Sequence, residues 1–90
     1  MDAIRNNTAA SRFELDAEGG TAVAHYRLSG GVMTIHHTET PPHLQGRGIA
    51  SQLVRGALES VRAQNLKVVP RCSFVAAYMA RHPEFNDLLA

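Results

Sequence analysis

Gln45-Gly46-Arg47-Gly48-Ile49-Ala50 divides the chain into two kinds of pattern. Upstream, apolar residues alternate with polar ones. Downstream, they recur at helical spacing. Arg12 to Asp16 places Phe13 and Leu15 on one side of a strand. Thr21 to Leu28 sets Ala22, Ala24, Tyr26 and Leu28 against Val23, His25 and Arg27, and Val32 to Thr38 does the same with Met33 and Ile35. Glu18-Gly19-Gly20 and Ser29-Gly30-Gly31 are turn signals between them, so three strands form an antiparallel meander. Thr40-Pro41-Pro42 ends the sheet pattern, because proline donates nothing to a ladder.

After the glycine turn, Ile49, Ala50, Leu53, Val54, Ala57, Leu58 and Val61 line one face of a helix that runs to Gln64. Gly56 is a flaw worth about 1 kcal/mol in that helix if exposed, and it allows close packing on the sheet. Asn65 suits a left-handed cap. Leu66 to Arg71 reads as a fourth strand. Ser73 is placed to cap a second helix, Phe74 to Arg81, which Pro83 ends. The class is α+β: a three-strand meander, then helix, strand, helix. Residues 1–11 lack periodicity and read as a flexible tail, with one domain over residues 12–90.

Composition narrows the function. The chain has 90 residues, is 44% hydrophobic and carries a net charge of +1, so no broad attraction to nucleic acid or anionic membrane is expected. The five aromatics are not interleaved with a basic stripe, which argues against base stacking. Cys72 stands alone, so no intrachain disulfide forms. There is no apolar run of the roughly 20 residues a bilayer span needs, nor a signal-peptide core. A soluble, cytoplasmic protein is expected.

The turn itself points to an anion. A helix start offers free N–H groups and the positive end of the helix dipole. No Gly-Lys-Ser/Thr follows, so a P-loop nucleotide site is disfavoured. His36, His37 and His43 have neither a Cys partner nor a helix-borne His pair, and no metal site is expected.

Gln45-x-x-Gly48-x-Ala50, set between a strand and a long helix, resembles the signature of the Gcn5-related N-acetyltransferases. The likeness is nearest to the minimal, YjdJ-type branch. It extends through His37-Thr38-Glu39 with Pro41-Pro42, Gly48-Ile49-Ala50-Ser51, Val69-Pro70-x-Cys72-Ser73-Phe74-Val75 and Arg81-His82-Pro83-Glu84-Phe85. It covers residues 12 to 89. The resemblance implies a small acyl-CoA N-acyltransferase fold, acetyl-CoA as co-substrate and an amine acceptor. It implies that Gln45, Gly46, Arg47, Gly48, Ile49 and Ala50 hold the pyrophosphate of coenzyme A, and that main-chain groups of Val32 to Thr38 meet the pantetheine arm. The chain departs from typical members in lacking the helices after the first strand, the closing hairpin and the Gly-Phe after the last helix. Those parts build much of the acceptor pocket, so the acceptor stays unnamed, as does the oligomeric state.

Amine acetylation needs a base for the amine, donors for the thioester oxygen and a proton for the departing sulfur. Glu39 and His37 end the strand nearest the expected thioester and are the candidate bases; a solvated loop charge and a structural histidine are the bland alternatives. His37 shares the parity of Met33 and Ile35 unless a bulge intervenes. Tyr78 is either the acid, as the resemblance implies, or part of an apolar stripe with Phe74 and Val75. Cys72, ahead of the second helix, is either an activated thiol able to accept an acetyl group or a small core residue. The rival to an enzyme is a module that binds coenzyme A or acetyl-CoA without turnover, or an interaction domain whose turn holds no ligand.

Overall fold

The computed structural model describes residues 4–90. A five-stranded sheet runs in the order β1 (Arg5–Asn7), β2 (Arg12–Ala17), β3 (Gly20–Ser29), β4 (Val32–Glu39) and β5 (Lys67–Pro70). Neighbours are antiparallel except β4 and β5, which are parallel and joined through helix α1 (Ile49–Ala63). Helix α2 (Ser73–Arg81) and a 3-10 segment, Pro83–Leu88, complete the chain. The architecture is α+β, as the alternation and the helical stripe foretell.

The helices cover one face of the sheet. Phe13, Leu15, Ala22, Ala24, Tyr26, Met33, Ile35 and Val68 point to that face and form one buried cluster with the helices. From α1 the cluster takes Leu53, Val54, Ala57, Leu58 and Val61, the residues its period selects. From α2 it takes Val75, Tyr78 and Met79. The chain leaves α1 at Asn65, whose φ of 57° is left-handed, while the Leu66 N–H donates to the Val61 carbonyl at 3.0 Å. That is the hydrogen bonding of a helix end closed by a left-handed residue.

Two expectations fail here. Residues 5–10 are not a tail: β1 pairs with β2, and Thr8–Ala10 form a 3-10 turn; residues 1–3 lie outside the described residues. Polar side chains reinforce the ladder. Glu14 is buried on the outer face of β2 and accepts from Arg5 at 2.7 Å, Arg12 at 2.6 Å and Asn7 at 3.0 Å. No hydrophobic period announces such a strand. The second failure concerns Gly56. A Cβ there meets the Ile4 side chain at 2.3 Å, so the glycine makes room for the segment entering β1 rather than for the sheet.

Candidate functional site

The glycine turn forms one wall of an open cleft. The 3-10 turn Pro42–Leu44 leads into Gly46 at φ 82° and Gly48 at φ 75°, and Gly48 is the N-cap of α1. Nothing lies within 4 Å of a Cβ built on either, so backbone conformation rather than crowding calls for glycine. Among the described residues the amides of residues 46–51 have no hydrogen-bond acceptor, the first bonded amide of the helix being that of Gln52, which donates to the Gly48 carbonyl at 3.0 Å. A cleft of about 400 Å³ lies beside them, lined by Gln45, Gly46, Gly48, Ile49, Ala50 and Ser51, with Leu44, Thr40, Thr38 and Phe74 opposite or below.

The far end of the cleft is a gap between β4 and β5. Their pairing stops at Ile35 and Pro70. Proline has no N–H to continue the ladder, and the next two amides, Arg71 and Cys72, both donate to the Ile35 carbonyl at 3.0 Å. The chain then turns into α2, while β4 continues alone on that side to Glu39.

A bulge in β4 decides which side chains face this gap. Tyr26 pairs with Ile35 but His25 pairs with His37, leaving His36 as the extra residue. His37 therefore stands on the outer face, its ring 5.9 Å from that of His25 and its Nε2 2.9 Å from a Glu39 carboxylate oxygen. Thr38, paired with buried Ala24, turns inward instead. The parity that would have put His37 beside Met33 and Ile35 is broken.

Thr38 meets Cys72, with 3.5 Å between hydroxyl and sulfur. Partial burial pushes the Cys72 thiol pKa up. The Thr38 hydroxyl and the N–H groups of Val75, Phe74 and Thr38 push it down further, so it lies below its ordinary value. Cys72, not Ser73, is the N-cap of α2, and neither closes a regular side-chain cap. The Thr38 hydroxyl thus lies in the gap beside a thiol held at a helix start.

The other predicted residues divide. Gln45 lines the cleft and donates from Nε2 to the Thr40 carbonyl at 3.1 Å. Arg47 does not line it; its guanidinium lies 3.4 Å from Glu18, tying the glycine turn to the β2–β3 hairpin. His43 reinforces that tie through the Glu18 carbonyl at 2.9 Å. Tyr78 is buried in the core, its ring 3.9 Å from that of His82, beside an Arg55 guanidinium that Glu84 and Tyr78 both favour in its charged form. It does not reach the cleft. Thr38 is the neighbour of Cys72 that reading the strand as regular misses. Among the described residues no group of His, Cys, Asp and Glu is arranged to hold a metal.

The family model for GCN5-related N-acetyl-transferases matches residues 12–88. The chain belongs to the GCN5-related N-acetyltransferase family. Among curated relatives it is similar to Protein NATD1 of Gallus gallus and of Mus musculus, each 35% identical over 52 residues, which is 58% of this chain and 47% of theirs. The human Protein NATD1 matches at the same identity, with 46% of its length covered. The chain thus spans about half the length of these relatives. Among solved structures it resembles the solution structure of a GCN5-like protein from Staphylococcus aureus, with a TM-score of 0.74 and 23% identity over 97% of this chain and 86% of that one. That likeness is one of fold. No helix among the described residues is long and apolar enough to cross a membrane.

Proposed function

We propose that this chain is an acetyl-CoA-dependent N-acetyltransferase acting on a primary amine. Its family supplies the reaction class. The observation that carries the reading for this chain is the row of free amides at residues 46–51, opening on a cleft that runs to the β4–β5 gap. Those amides suit a diphosphate, with the α1 dipole adding to the attraction. Arg47 contributes a nearby cation if it leaves Glu18. The unaccompanied edge of β4 beyond Ile35 offers main-chain partners to the amide-bearing arm of the cofactor. Acetyl-CoA supplies an activated thioester.

Each remaining demand has a candidate residue. The main chain of β4 beyond Ile35, unpaired on the β5 side, is the candidate donor to a carbonyl oxygen that gains charge. The His37–Glu39 pair, held at 2.9 Å on the outer side, takes the proton an ammonium must lose before attack. A C–N bond then forms and the C–S bond breaks. The Cys72 thiol, which sits beside Thr38 in the gap, returns a proton to the departing sulfur and recovers its own from solvent. Transfer is direct, with no acetyl group resting on the protein.

Thermal unfolding with acetyl-CoA, CoA or ATP tests the first half, since a ligand bound only to the native state raises apparent stability. A shift with both CoA species and none with ATP is expected. Release of free CoA thiol with a panel of primary amines tests the second half. A thermal shift without release from any amine would leave a binding module in place of an enzyme.

A further inference from the structure

The outer face of the sheet carries a second cavity, of about 390 Å³, lined by Arg27, Thr34, His36 and Arg71. The strand register builds it. Arg27 of β3 pairs with Thr34 of β4, His36 is the bulged residue, and Arg71 follows β5. Three adjacent chain segments therefore converge on one hollow, and no carboxylate lines it. Arg5, Arg12, Arg47, Arg55 and Arg62 all pair with carboxylates, whereas among the described residues Arg81 stands alone on α2 and Lys67 donates to the Asp87 carbonyl. Among the described residues Arg27 and Arg71 have no carboxylate partner. Like charges on neighbouring strands are destabilising, so their convergence costs stability unless something negative answers it. His36 reports the same field: loss of water contacts, then the Arg27, His25, His37 and Arg71 charges, lower its pKa.

The hollow also has a definite relation to the gap. Arg71 and Cys72 donate to the same Ile35 carbonyl, and successive residues there alternate between faces. Cys72 joins Thr38 on the cleft side, and Arg71 joins His36 on the outer side. The outer hollow and the inner cleft thus lie on opposite faces of the sheet beside the end of the β4–β5 pairing, and the His37–Glu39 pair stands on the same outer face as the hollow.

We propose that Arg27, His36 and Arg71 form an anion subsite that selects an acceptor amine bearing a carboxylate or phosphate group. This rests on the acetyltransferase reading above, because it assigns that reaction its acceptor class. The planar guanidinium forks suit either oxyanion, and Thr34 adds a hydroxyl donor.

The test compares three short amines, β-alanine, phosphoethanolamine and propylamine, by CoA release, and titrates isotope-labelled protein with β-alanine and with inorganic phosphate. A kcat/KM at least tenfold higher for one of the two anionic amines than for propylamine supports the proposal and tells carboxylate from phosphate. Arg27→Gln and Arg71→Gln are then expected to erase the preference through KM, with a retained acetyl-CoA thermal shift showing that each variant is folded. Equal kcat/KM for all three amines, or a preference that survives both substitutions, overturns it. If wild type shows no acetyl-CoA shift, the cofactor reading has failed instead. The titration then decides the subsite alone: saturable shifts at Arg27, Thr34, His36 and Arg71 support it, and their absence from both titrations overturns it.

Discussion

Gly48→Ala isolates what the backbone of the glycine turn contributes. Gly48 sits at φ 75°, and a Cβ built there has no neighbour within 4 Å. Steric clash is therefore not a term, and the whole penalty is conformational. Holding an L-residue in the left-handed region costs roughly 1–2 kcal/mol, and asparagine tolerates it better than most. Alanine also narrows the unfolded ensemble, returning about 0.4–1 kcal/mol had the geometry suited it. The net expectation is a loss of about 1 kcal/mol for Gly48→Ala, less for Gly48→Asn and more for Gly48→Val, whose branched side chain is worst in this region. In a domain of 90 residues, 1 kcal/mol corresponds to a Tm drop of roughly 4–8 °C. Urea unfolding without ligand measures the order, and acetyl-CoA titration measures binding beside it. A variant that relaxes to a right-handed conformation turns its amides away, so binding is expected to fall along with stability. If alanine matches glycine in both measurements, or outperforms asparagine, the left-handed turn is not what holds the cradle open.

Three further outcomes follow from particular contacts. Gly56→Ala is expected to lower stability by about 1 kcal/mol despite better helix propensity, because overpacking against Ile4 outweighs the gain; adding Ile4→Ala should turn the same change into a stabilising one, read by urea midpoints. Asn7, Arg12 and Arg5 hold the Glu14 carboxylate at a pKa of about 2 against its ordinary 4.5, so its stabilising effect is complete above 4.5 and fades as pH falls towards 2. Glu14→Gln is expected to flatten the acid limb of the stability profile, and an unchanged slope would contradict the pairing of β1 with β2 through Glu14. Alkylation of Cys72 by iodoacetamide is expected to show a pH midpoint below that of an ordinary thiol, and Thr38→Val to raise it; intact mass after incubation with acetyl-CoA should show no acetyl adduct, and an adduct lost in Cys72→Ser would replace direct transfer by a covalent route.

The α+β architecture was legible because its signals are periodic. Phe13 and Leu15, Met33 and Ile35, and the stripe from Leu53 to Val61 all announce their faces, and every one is buried as its period requires. The turn at Gly46 and Gly48 was legible for a different reason: few residues other than glycine hold φ near +80° without strain. What escaped is what depends on long-range pairing. The bulge at His36 leaves no mark in composition, yet it exchanges His37 for Thr38 at the gap. Strand β1 is held by polar contacts to Glu14, which no hydrophobic pattern reports. Tyr78 carries one identity as a core aromatic and another as an acid, and only packing against His82 and Phe85 assigns it to the core. Arg47 reads as a phosphate ligand, and only the fold shows Glu18 of a distant hairpin beside it. The cations at Arg27 and Arg71 are 44 positions apart in number and adjacent only through the sheet.

Amide nitrogen–proton spectra recorded during titration with acetyl-CoA test the cradle most directly. The largest saturable shifts are expected at residues 46–51, with a second set at Thr38 and Cys72. Saturable binding whose shifts fall on other segments, with residues 46–51 unmoved, would contradict it.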